Sequence, residues 1–595
     1  MQNLPFTIPA IHGAYQDGMK ATEIVDLVYQ RIEAVDDPGI FIYLLEKEEV
    51  LEAAKALGDF DQSKPLWGIP FVIKDNIDAK GKPTTAACPA YLYEAEEDAF
   101  IVRCLIEAGA LLIGKTNLDQ FATGLVGVRS PYQPPKNAVD PEIVPGGSSS
   151  GSAVSVAHGF ACFSLGTDTA GSGRVPAALN NIVGLKPTLG AFSASGVVPA
   201  CRTLDTVSVF ALTVEDAYKV FQVGCVFDTA DSYSKQVAAK SLSSLPPKFR
   251  VGIPDAATIE FFGDKVQEAS YREGLETLKS LGAEIIEIDF TPFYNVAHML
   301  YEGAWVAERY TTIEEMLKTD PEAIFPVTRK IISAAENFSS ADVFRGIYKL
   351  EDLKRLAEPL LEDIDMMCVP TIPTFYSVED LNVDPVTPNS NFGTYTNFVN
   401  LMDMCALAVP TSFRTDGRPG SLTLLAGAGK DAEIAAIGIE IQKRTQPMMG
   451  ATDWKVPAPT TNPNPVSNAE IEIAVCGAHM SGLPLNKDLI ARGGRFVRTA
   501  KTASDYEFFA LAGGPPHRPG LVKTEAGQGS EIELEVWAVP KTEIGSFLES
   551  IPAPLGLGTI SLSDNSEVKG FICEAQGAAG AKNISELKTW RRYVA

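Results

Sequence analysis

Serine and glycine are concentrated in one part of the sequence, 145–196, where they alternate with apolar segments. Glycine lets backbone N–H groups approach a ligand closely, and a serine hydroxyl can act as a nucleophile or relay a proton. The interleaved segment VSVAHGFACFSLG has the composition of a buried core, which a flexible Gly/Ser linker would lack. The stretch therefore favours acyl transfer at a serine, with backbone N–H groups holding the oxyanion.

A nucleophilic serine needs a base, and the usual base is histidine. The chain has five histidines: His12, His158, His298, His479 and His517. None of them lies in a pattern typical of a catalytic triad. The alternative base is a lysine that burial keeps neutral. Lys74 fits this requirement because it ends the apolar run GIPFVIK, which indicates a buried strand.

Four motifs surround these residues and occur in the order GIPFVIKDNI, GKTNLDQFA, PGGSSSGSA and GTDTAGSGRVPA. Together they resemble the amidase signature family, serine hydrolases with a Ser-cisSer-Lys triad. The motifs lie within residues 65–200, and the resemblance extends to about residue 450. It implies an α/β fold with a mixed central β-sheet covered by helices, and a reaction that needs neither a metal ion nor an organic cofactor.

The resemblance implies a role for each member of the triad. Ser172 takes the position of the nucleophile, Ser148 that of the bridging serine and Lys74 that of the base. Ser149 and Ser150 are the alternatives for the bridging position. The separation of the two serines, 172 − 148 = 24, agrees with the family pattern. A non-proline cis peptide bond is expected at Gly147–Ser148.

The backbone that leads to Ser172 is expected to form the oxyanion hole. The resemblance assigns this role to the N–H groups of Thr169, Ala170 and Gly171, together with that of Ser172. Many relatives have two glycines where this chain has Ala170 and Gly171. Because the donors are backbone groups, the alanine is expected to preserve the site.

Further segments, among them LVGVRSPYQPPKNA, LYEGAWVAERY and GAHMSGLPLN, resemble one subfamily, the allophanate hydrolases. Allophanate is an N-carboxylated urea, so it carries a carboxylate beside the amide to be cleaved. The resemblance implies that Tyr301 and Arg309 bind this carboxylate and that Gly124 lets the backbone close over the substrate.

Tyr301 and Arg309 are eight residues apart, 309 − 301 = 8. A single helix would bring them to nearly the same face, because a helix turns once every 3.6 residues. The alternative is a surface arginine paired with Glu302 or Glu308.

The charge balance excludes several classes of partner. The chain has 50 basic and 75 acidic residues, a net charge of −25, which opposes binding to nucleic acid and to anionic membrane surfaces. Its nine cysteines are scattered and never form a C-x-x-C pair, which indicates reduced thiols. Neither a signal peptide nor a membrane span is predicted, so the protein is expected in the cytoplasm.

The elements that must position the site alternate between helices and strands. The spacing of apolar residues predicts an amphipathic helix over 21–35 and strands over 69–73 and 111–113. Strands are also predicted at FRVGIP and EIIEIDF, on either side of the helical segment VQEASYREGLETLKSLG. The match of 109–116 to the phosphate-loop pattern is rejected, because an apolar strand-like segment fills the loop.

Composition divides the chain into three parts. The predicted catalytic domain spans 1–452, and a Pro/Asn-rich linker covers 453–470. Residues 471–595 have strand patterns such as IEIAV and EIELEVWAV, which predict a smaller α+β domain. This domain faintly resembles gamma-glutamylcyclotransferase-like domains, and His479 is its candidate functional residue, with packing at a strand end as the alternative.

The resemblance implies hydrolysis of allophanate to N-carboxycarbamate and ammonia, ending in ammonia and carbon dioxide. It also implies a homodimer and a pathway link to a biotin-dependent urea carboxylase. A general aliphatic or aryl amidase is the alternative, and it differs in having no need to bind an anion. An amidotransferase component that works beside transfer RNA is disfavoured by the extra domain and by the net acidity.

Overall fold

The structure is a computed structural model that describes residues 3–457 and 466–595. The described residues form two compact units. The first unit comprises those within Met1–Lys240, Val251–Ser280 and Ile285–Ala458. The second comprises those within Ser241–Arg250, Leu281–Glu284 and Pro459–Ala595. The central residues of the predicted linker, 458–465, lie outside the described residues.

A large mixed sheet and a two-stranded ribbon contain the strands from 41 to 427. They are β1 (Phe41–Leu44), β2 (Pro70–Lys74), β3 (Pro83–Thr84), β4 (Tyr93–Glu94), β5 (Leu111–Thr116), β6 (Phe163–Asp168), β7 (Val183–Lys186), β8 (Thr206–Ala211), β9 (Phe249–Pro254), β10 (Ala283–Ile288), β11 (Met366–Pro370), β12 (Met404–Pro410) and β13 (Ser421–Gly427). The large sheet has eleven strands in the order β1-β5-β2-β6-β8-β7-β12-β13-β11-β9-β10.

The helices of the first unit cover this sheet. They are α1 (Ile8–Gln16), α2 (Ala21–Val35), α3 (Lys47–Ala56), α4 (Phe100–Glu107), α5 (Ser150–Ala157), α6 (Val175–Leu179), α7 (Val214–Gly224), α8 (Lys265–Ser280), α9 (Thr291–Glu302), α10 (Trp305–Thr319), α11 (Pro326–Ser333), α12 (Ser340–Leu361), α13 (Val378–Val383), α14 (Thr387–Phe392) and α15 (Asp431–Thr445). The α/β fold with a mixed central sheet is therefore confirmed.

Strands β5, β2 and β6 are neighbours and run parallel. All residues of β2 and β6 are buried, as expected for strands with both faces covered. Because parallel strands end at the same edge of a sheet, the segments that follow Lys74, Thr116 and Asp168 come together there. This edge carries the candidate site.

The predicted elements outside the site are also present. The helix over 21–35 is α2, and the strand predictions correspond to β2, β5, β9 and β10. Residues 111–116, within the rejected phosphate-loop match, form strand β5, which confirms the rejection. Among the described residues, no helix combines the length and apolar character that a membrane span needs.

The second unit has sheets of its own. Its strands are β14 (Glu470–Val475), β15 (Arg495–Lys501), β16 (Tyr506–Ala510), β17 (Pro519–Lys523), β18 (Glu533–Pro540), β19 (Leu555–Ser561), β20 (Glu567–Cys573) and β21 (Lys582–Asn583). Five form one sheet in the order β15-β18-β14-β20-β19, and three form another in the order β17-β16-β21. The helices are α16 (Asn486–Ala491), α17 (Ile544–Glu549), α18 (Ala575–Ala578) and α19 (Arg591–Val594). The unit is thus α+β, and the two strand patterns quoted above form β14 and β18.

Candidate active site

Lys74, Ser148 and Ser172 form a continuous hydrogen-bonded chain. Lys74 Nζ donates to Ser148 Oγ at 2.7 Å, and Ser148 Oγ donates to Ser172 Oγ at 2.9 Å. Lys74 Nζ also donates to Thr167 Oγ1 at 2.8 Å, which holds the amine in place. The side chains of Lys74, Ser148 and Ser172 are all buried. The structure therefore brings together the three residues that the motifs singled out.

Each member of this chain is placed by a different element. Lys74 is the last residue of β2, and Ser172 follows the carboxyl end of the parallel neighbour β6. Ser148 precedes α5, and the Gly147–Ser148 peptide bond is cis, which confirms that prediction. The adjacent Ser149 instead donates to the carbonyl of Thr167, at 3.2 Å, so it does not take the bridging position.

Burial makes Lys74 a base. Removal from water disfavours the charged amine and lowers the pKa of Lys74 to about 7. The carboxylates of Asp119, Asp205 and Asp168 oppose this effect, and the positive charge of Arg309 adds to it. A large fraction of Lys74 is therefore neutral near pH 7 and able to accept a proton through Ser148.

Asp168 holds the turn that leads to Ser172. Its carboxylate accepts from the N–H groups of Gly171 and Gly173, each at 3.0 Å. It also accepts two bonds of 2.9 Å from the Arg174 guanidinium. Burial raises the pKa of Asp168, but Arg174, together with Lys186 and the Gly173 N–H, outweighs burial, so the pKa is lowered. The turn is therefore anchored by an ionised, bidentate pair.

The predicted oxyanion donors differ in whether their N–H groups are already bonded. The Gly171 N–H is engaged by Asp168, whereas within the described residues no hydrogen bond occupies the N–H groups of Ala170 and Ser172. Gly171 has φ +127°, and a Cβ there would lie 2.5 Å from Thr396 Oγ1. Thr169 is held by its hydroxyl, which donates to Asp205. Among the described residues, the N–H groups of Thr169, Ala170 and Ser172 are therefore the donors that remain available.

Gly124 contacts the Ser172 hydroxyl directly. Its carbonyl accepts a bond from Ser172 Oγ at 3.4 Å. A Cβ on Gly124 would lie 2.4 Å from Asp119 Oδ2, so the close approach requires glycine. Asp119 in turn accepts from the N–H groups of Gly127 and Arg129, at 3.0 and 2.8 Å. Asp119 therefore fixes the loop that lies over the nucleophile.

Tyr301 and Arg309 lie together, as the resemblance implies. Arg309 Nη2 donates to Tyr301 Oη at 3.3 Å, and the guanidinium carbon lies 5.0 Å from the centre of the tyrosine ring. Arg309 Nη1 donates to Thr123 Oγ1 at 3.2 Å, next to Gly124. The guanidinium is buried, and its Nε has no hydrogen-bond partner among the described residues. A buried, incompletely bonded cation therefore lies close to the nucleophile.

The expectation that a single helix brings Tyr301 and Arg309 to the same face is wrong. Tyr301 and Arg309 do not share one helix, because α9 ends at Glu302 and α10 begins at Trp305. Gly303 has an extended conformation and breaks the helix. The alternative partner Glu308 instead accepts from the N–H and hydroxyl of Thr203, at 2.8 and 2.7 Å.

A cavity of about 730 Å³ opens beside Tyr301. Arg129, Tyr301, Asn389 and Asn397 are among its lining residues. Asn389 Oδ1 accepts from the N–H of Leu125 at 2.7 Å, which ties the cavity wall to the Gly124 loop. Ser172 does not line this cavity and is only 3% exposed, so the nucleophile is screened from water.

His479 lies in the second unit, in a separate environment. It lines a cavity of about 300 Å³ together with Asp488 and Arg518. Its ring stacks on Phe571 and meets Phe547 edge-on, with centroids 5.1 and 5.6 Å apart. Burial lowers the pKa of His479 to about 4, with Asp488 opposing the shift. The imidazole is therefore neutral near pH 7.

Several residues of the site were missed by sequence reasoning: Asp119, Thr123, Arg129, Asp168, Arg174 and Asp205. Asp168 and Arg174 lie inside the motif GTDTAGSGRVPA, and Asp119 lies inside GKTNLDQFA. Their presence in these motifs was the available signal. Their roles depend on backbone groups that only the folded turn presents, so no spacing rule could reveal them.

The comparisons with known proteins agree with this geometry. The family model for Amidase matches residues 23–435, and the model for the allophanate hydrolase C-terminal domain matches residues 471–595. A solved structure of allophanate hydrolase from Kluyveromyces lactis superposes with a TM-score of 0.80 at 39% identity, covering 99% of each chain.

Two curated relatives show similarity in sequence to this chain. Urea amidolyase from Saccharomyces cerevisiae is 41% identical over 580 residues, which is 95% of this chain and 31% of the relative. The chain thus spans about a third of the length of that relative. A glutamyl-tRNA(Gln) amidotransferase component from Exiguobacterium sibiricum is 32% identical over 465 residues, which is 72% of this chain and 94% of the relative. On these matches and this geometry, the chain belongs to the amidase family.

Proposed function

We propose that this chain hydrolyses allophanate at the Ser172 site. The observation that carries the proposal is the position of Arg309. Its guanidinium bonds Thr123, the neighbour of Gly124, whose carbonyl contacts the Ser172 hydroxyl. An amide with a carboxylate one atom beyond its carbon can therefore meet the nucleophile and the cation together. A neutral amide leaves the buried cation without a partner.

The hydrogen-bonded chain supports the first chemical step. Neutral Lys74 accepts a proton from Ser148 as Ser148 accepts the proton of Ser172, and Ser172 Oγ attacks the amide carbon. The free N–H groups of Thr169, Ala170 and Ser172 are the donors for the negative charge on the carbonyl oxygen. The same chain then returns a proton to the leaving nitrogen, and ammonia departs from the acyl-enzyme.

Water completes the reaction. It attacks the acyl carbon with the same residues as base and acid, and it releases N-carboxycarbamate and Ser172. The overall change takes one allophanate anion and one water to the N-carboxycarbamate dianion and one ammonium ion, so atoms and charge balance. No step requires a metal ion or an organic cofactor.

For the second unit we infer a role in the next step, breakdown of N-carboxycarbamate to ammonia and carbon dioxide. This inference rests on the match of residues 471–595 to the allophanate hydrolase C-terminal domain and on the cavity lined by His479. A neutral imidazole can accept a proton, and Arg518 can attract an anion to the same cavity. The resemblance also supports a homodimer, which sedimentation velocity tests, and a urea carboxylase as the supplier of an N-carboxylated urea.

The test is ammonia release by the purified chain from allophanate and from neutral amides, with Ser172→Ala as the blank. Turnover of allophanate that is lost in the Ser172→Ala variant supports the proposal. Turnover of propionamide with allophanate left intact would instead indicate a general amidase, and the role given to Arg309 would be wrong.

A further inference from the structure

Two buried arginines meet at Thr123. Arg309 Nη1 donates to the Thr123 hydroxyl at 3.2 Å, and Arg129 Nη1 donates to the Thr123 carbonyl at 3.2 Å. Arg129 Nη2 also donates to the carbonyl of Pro385 at 2.7 Å. Arg129 is 3% exposed and Arg309 is 1% exposed. Thr123 is therefore held between two guanidinium groups.

Neither charge of this pair is in direct contact with a carboxylate, although Asp205 and Glu308 act on Arg309 from a distance. Within 3–457 and 466–595, neither Arg129 nor Arg309 forms an ion pair, and the Nε of each has no hydrogen-bond partner. Asp119 is the carboxylate that acts most strongly on Arg129, but its oxygens accept from backbone N–H groups. The other arginines buried to a similar degree do form ion pairs: Arg174 with Asp168, Arg414 with Asp264, and Arg495 with Glu470.

Burying a charge without a counter-ion is costly, so such a pair is expected where an anion will be bound. Both arginines are close to the place where that anion would lie. Arg129 and Tyr301 line the same cavity, and Arg309 bonds the Tyr301 hydroxyl. Thr123 precedes Gly124, which contacts Ser172. The two cations are thus linked, through Tyr301 and Thr123, to the cavity on one side and to the Gly124–Ser172 contact on the other.

We propose that Arg129 is a positioning and specificity-determining residue for the substrate carboxylate. Through Thr123 it fixes the guanidinium of Arg309, and it adds a second positive charge beside the one that would bind the carboxylate. The inference rests on the proposed function and deepens it, because it names a group that selects an anionic amide over a neutral amide.

The second charge has a chemical reason. Allophanate carries one negative charge, and attack by Ser172 places another on the carbonyl oxygen, so the tetrahedral intermediate carries two. The product N-carboxycarbamate is also a dianion. A pair of cations therefore matches the charge that develops during the reaction, and a single arginine matches only the charge of the free substrate.

The test compares allophanate with biuret, in which a carboxamide replaces the carboxylate. In Arg129→Met, we expect the ratio of kcat/KM for allophanate to kcat/KM for biuret to fall about tenfold or more. Arg129→Lys keeps the charge but loses the fork of donors, and it should restore part of the ratio. Equal losses on both substrates, or an unchanged ratio, would overturn the proposal.

Matched variants of Thr123 test the connection to Arg309. Thr123→Ser keeps the hydroxyl that accepts from Arg309, and Thr123→Val removes it while preserving shape. We expect the allophanate-to-biuret ratio to fall in Thr123→Val and to be largely kept in Thr123→Ser. The same fall in both variants would show that Thr123 acts through packing alone, and the proposed link would be wrong.

A binding experiment separates this inference from the proposed function. Calorimetry on Ser172→Ala, with and without Arg129→Met, uses malonamate as the anionic probe and malonamide as its neutral counterpart. A Kd for malonamate that rises about tenfold, with malonamide unaffected, supports the role of Arg129 even if the chain hydrolyses no allophanate. Equal changes in Kd for the two probes would overturn the role of Arg129. So would the absence of any preference for malonamate in Ser172→Ala alone. Where thermal melting shows that Arg129→Met does not fold, Arg129→Lys takes its place.

Discussion

Replacing Lys74 by arginine tests the neutral base at the centre of the mechanism. Burial lowers the pKa of Lys74 from 10.5 to about 7. This change corresponds to about 5 kcal/mol in favour of the neutral amine. At pH 7.5 roughly three-quarters of Lys74 would be neutral, whereas roughly one in a thousand exposed lysines would be. Arginine keeps the cation but does not deprotonate in this range.

For the wild-type chain we therefore expect kcat/KM to rise with pH through about 7, by about tenfold between pH 6 and pH 8. Lys74→Arg should lose about 10²- to 10⁴-fold in kcat/KM and should lose this pH dependence. The assay is ammonia release over pH 5.5–8.5, with each rate corrected for the enzyme-free blank because the substrate itself decomposes in acid.

Arg309→Met provides a second check, because the positive charge of Arg309 lowers the pKa of Lys74. Removing that charge should move the acid limb of the profile to higher pH, measured on a neutral amide that does not need the arginine. A wild-type profile that is flat through pH 7, or a limb near the ordinary lysine value, would refute the neutral-lysine mechanism.

The remaining predictions concern the turn before Ser172 and the second unit. Gly171→Ala should lower kcat by about 10²- to 10³-fold, because its Cβ would lie 2.5 Å from Thr396 Oγ1 and would displace the turn that presents the Ala170 and Ser172 N–H groups to the oxyanion. Asp168→Asn should lower the free energy of unfolding by about 3–5 kcal/mol in urea titration, because it leaves Arg174 buried without its counter-ion. His479→Gln should leave the first ammonia release unchanged and delay carbon dioxide release. Stopped-flow with a pH indicator measures the time course of both. Simultaneous release in that variant would contradict a role for the second unit.

Much of the site could be predicted from the sequence because its parts follow from local rules. Lys74 ends an apolar run that had to be a buried strand, and burial is the main cause of its lowered pKa. The serine motifs lie at chain turns whose glycines mark close approaches. The parallel arrangement of β2, β5 and β6 then brings these turns to one edge of the sheet.

The parts that could not be predicted depend on contacts between distant segments. The convergence of Tyr301 and Arg309 was expected from one helix, but Gly303 separates two helices that each contribute one residue. Arg129 is separated by 256 residues from Pro385, whose carbonyl it bonds. Periodicity predicts which face of an element is buried, but it does not predict which carbonyl a buried guanidinium will bond.

The proposed function depends on selection of the amide by its neighbouring carboxylate. The most direct measurement is the kcat/KM of the wild-type chain and of Arg309→Met for allophanate and biuret, measured side by side by ammonia release. We expect a strong preference of the wild type for allophanate, which Arg309→Met abolishes, while biuret turnover at pH values above the acid limb stays largely unchanged. Equal turnover of the two substrates by the wild type, or a preference that survives Arg309→Met, would contradict it.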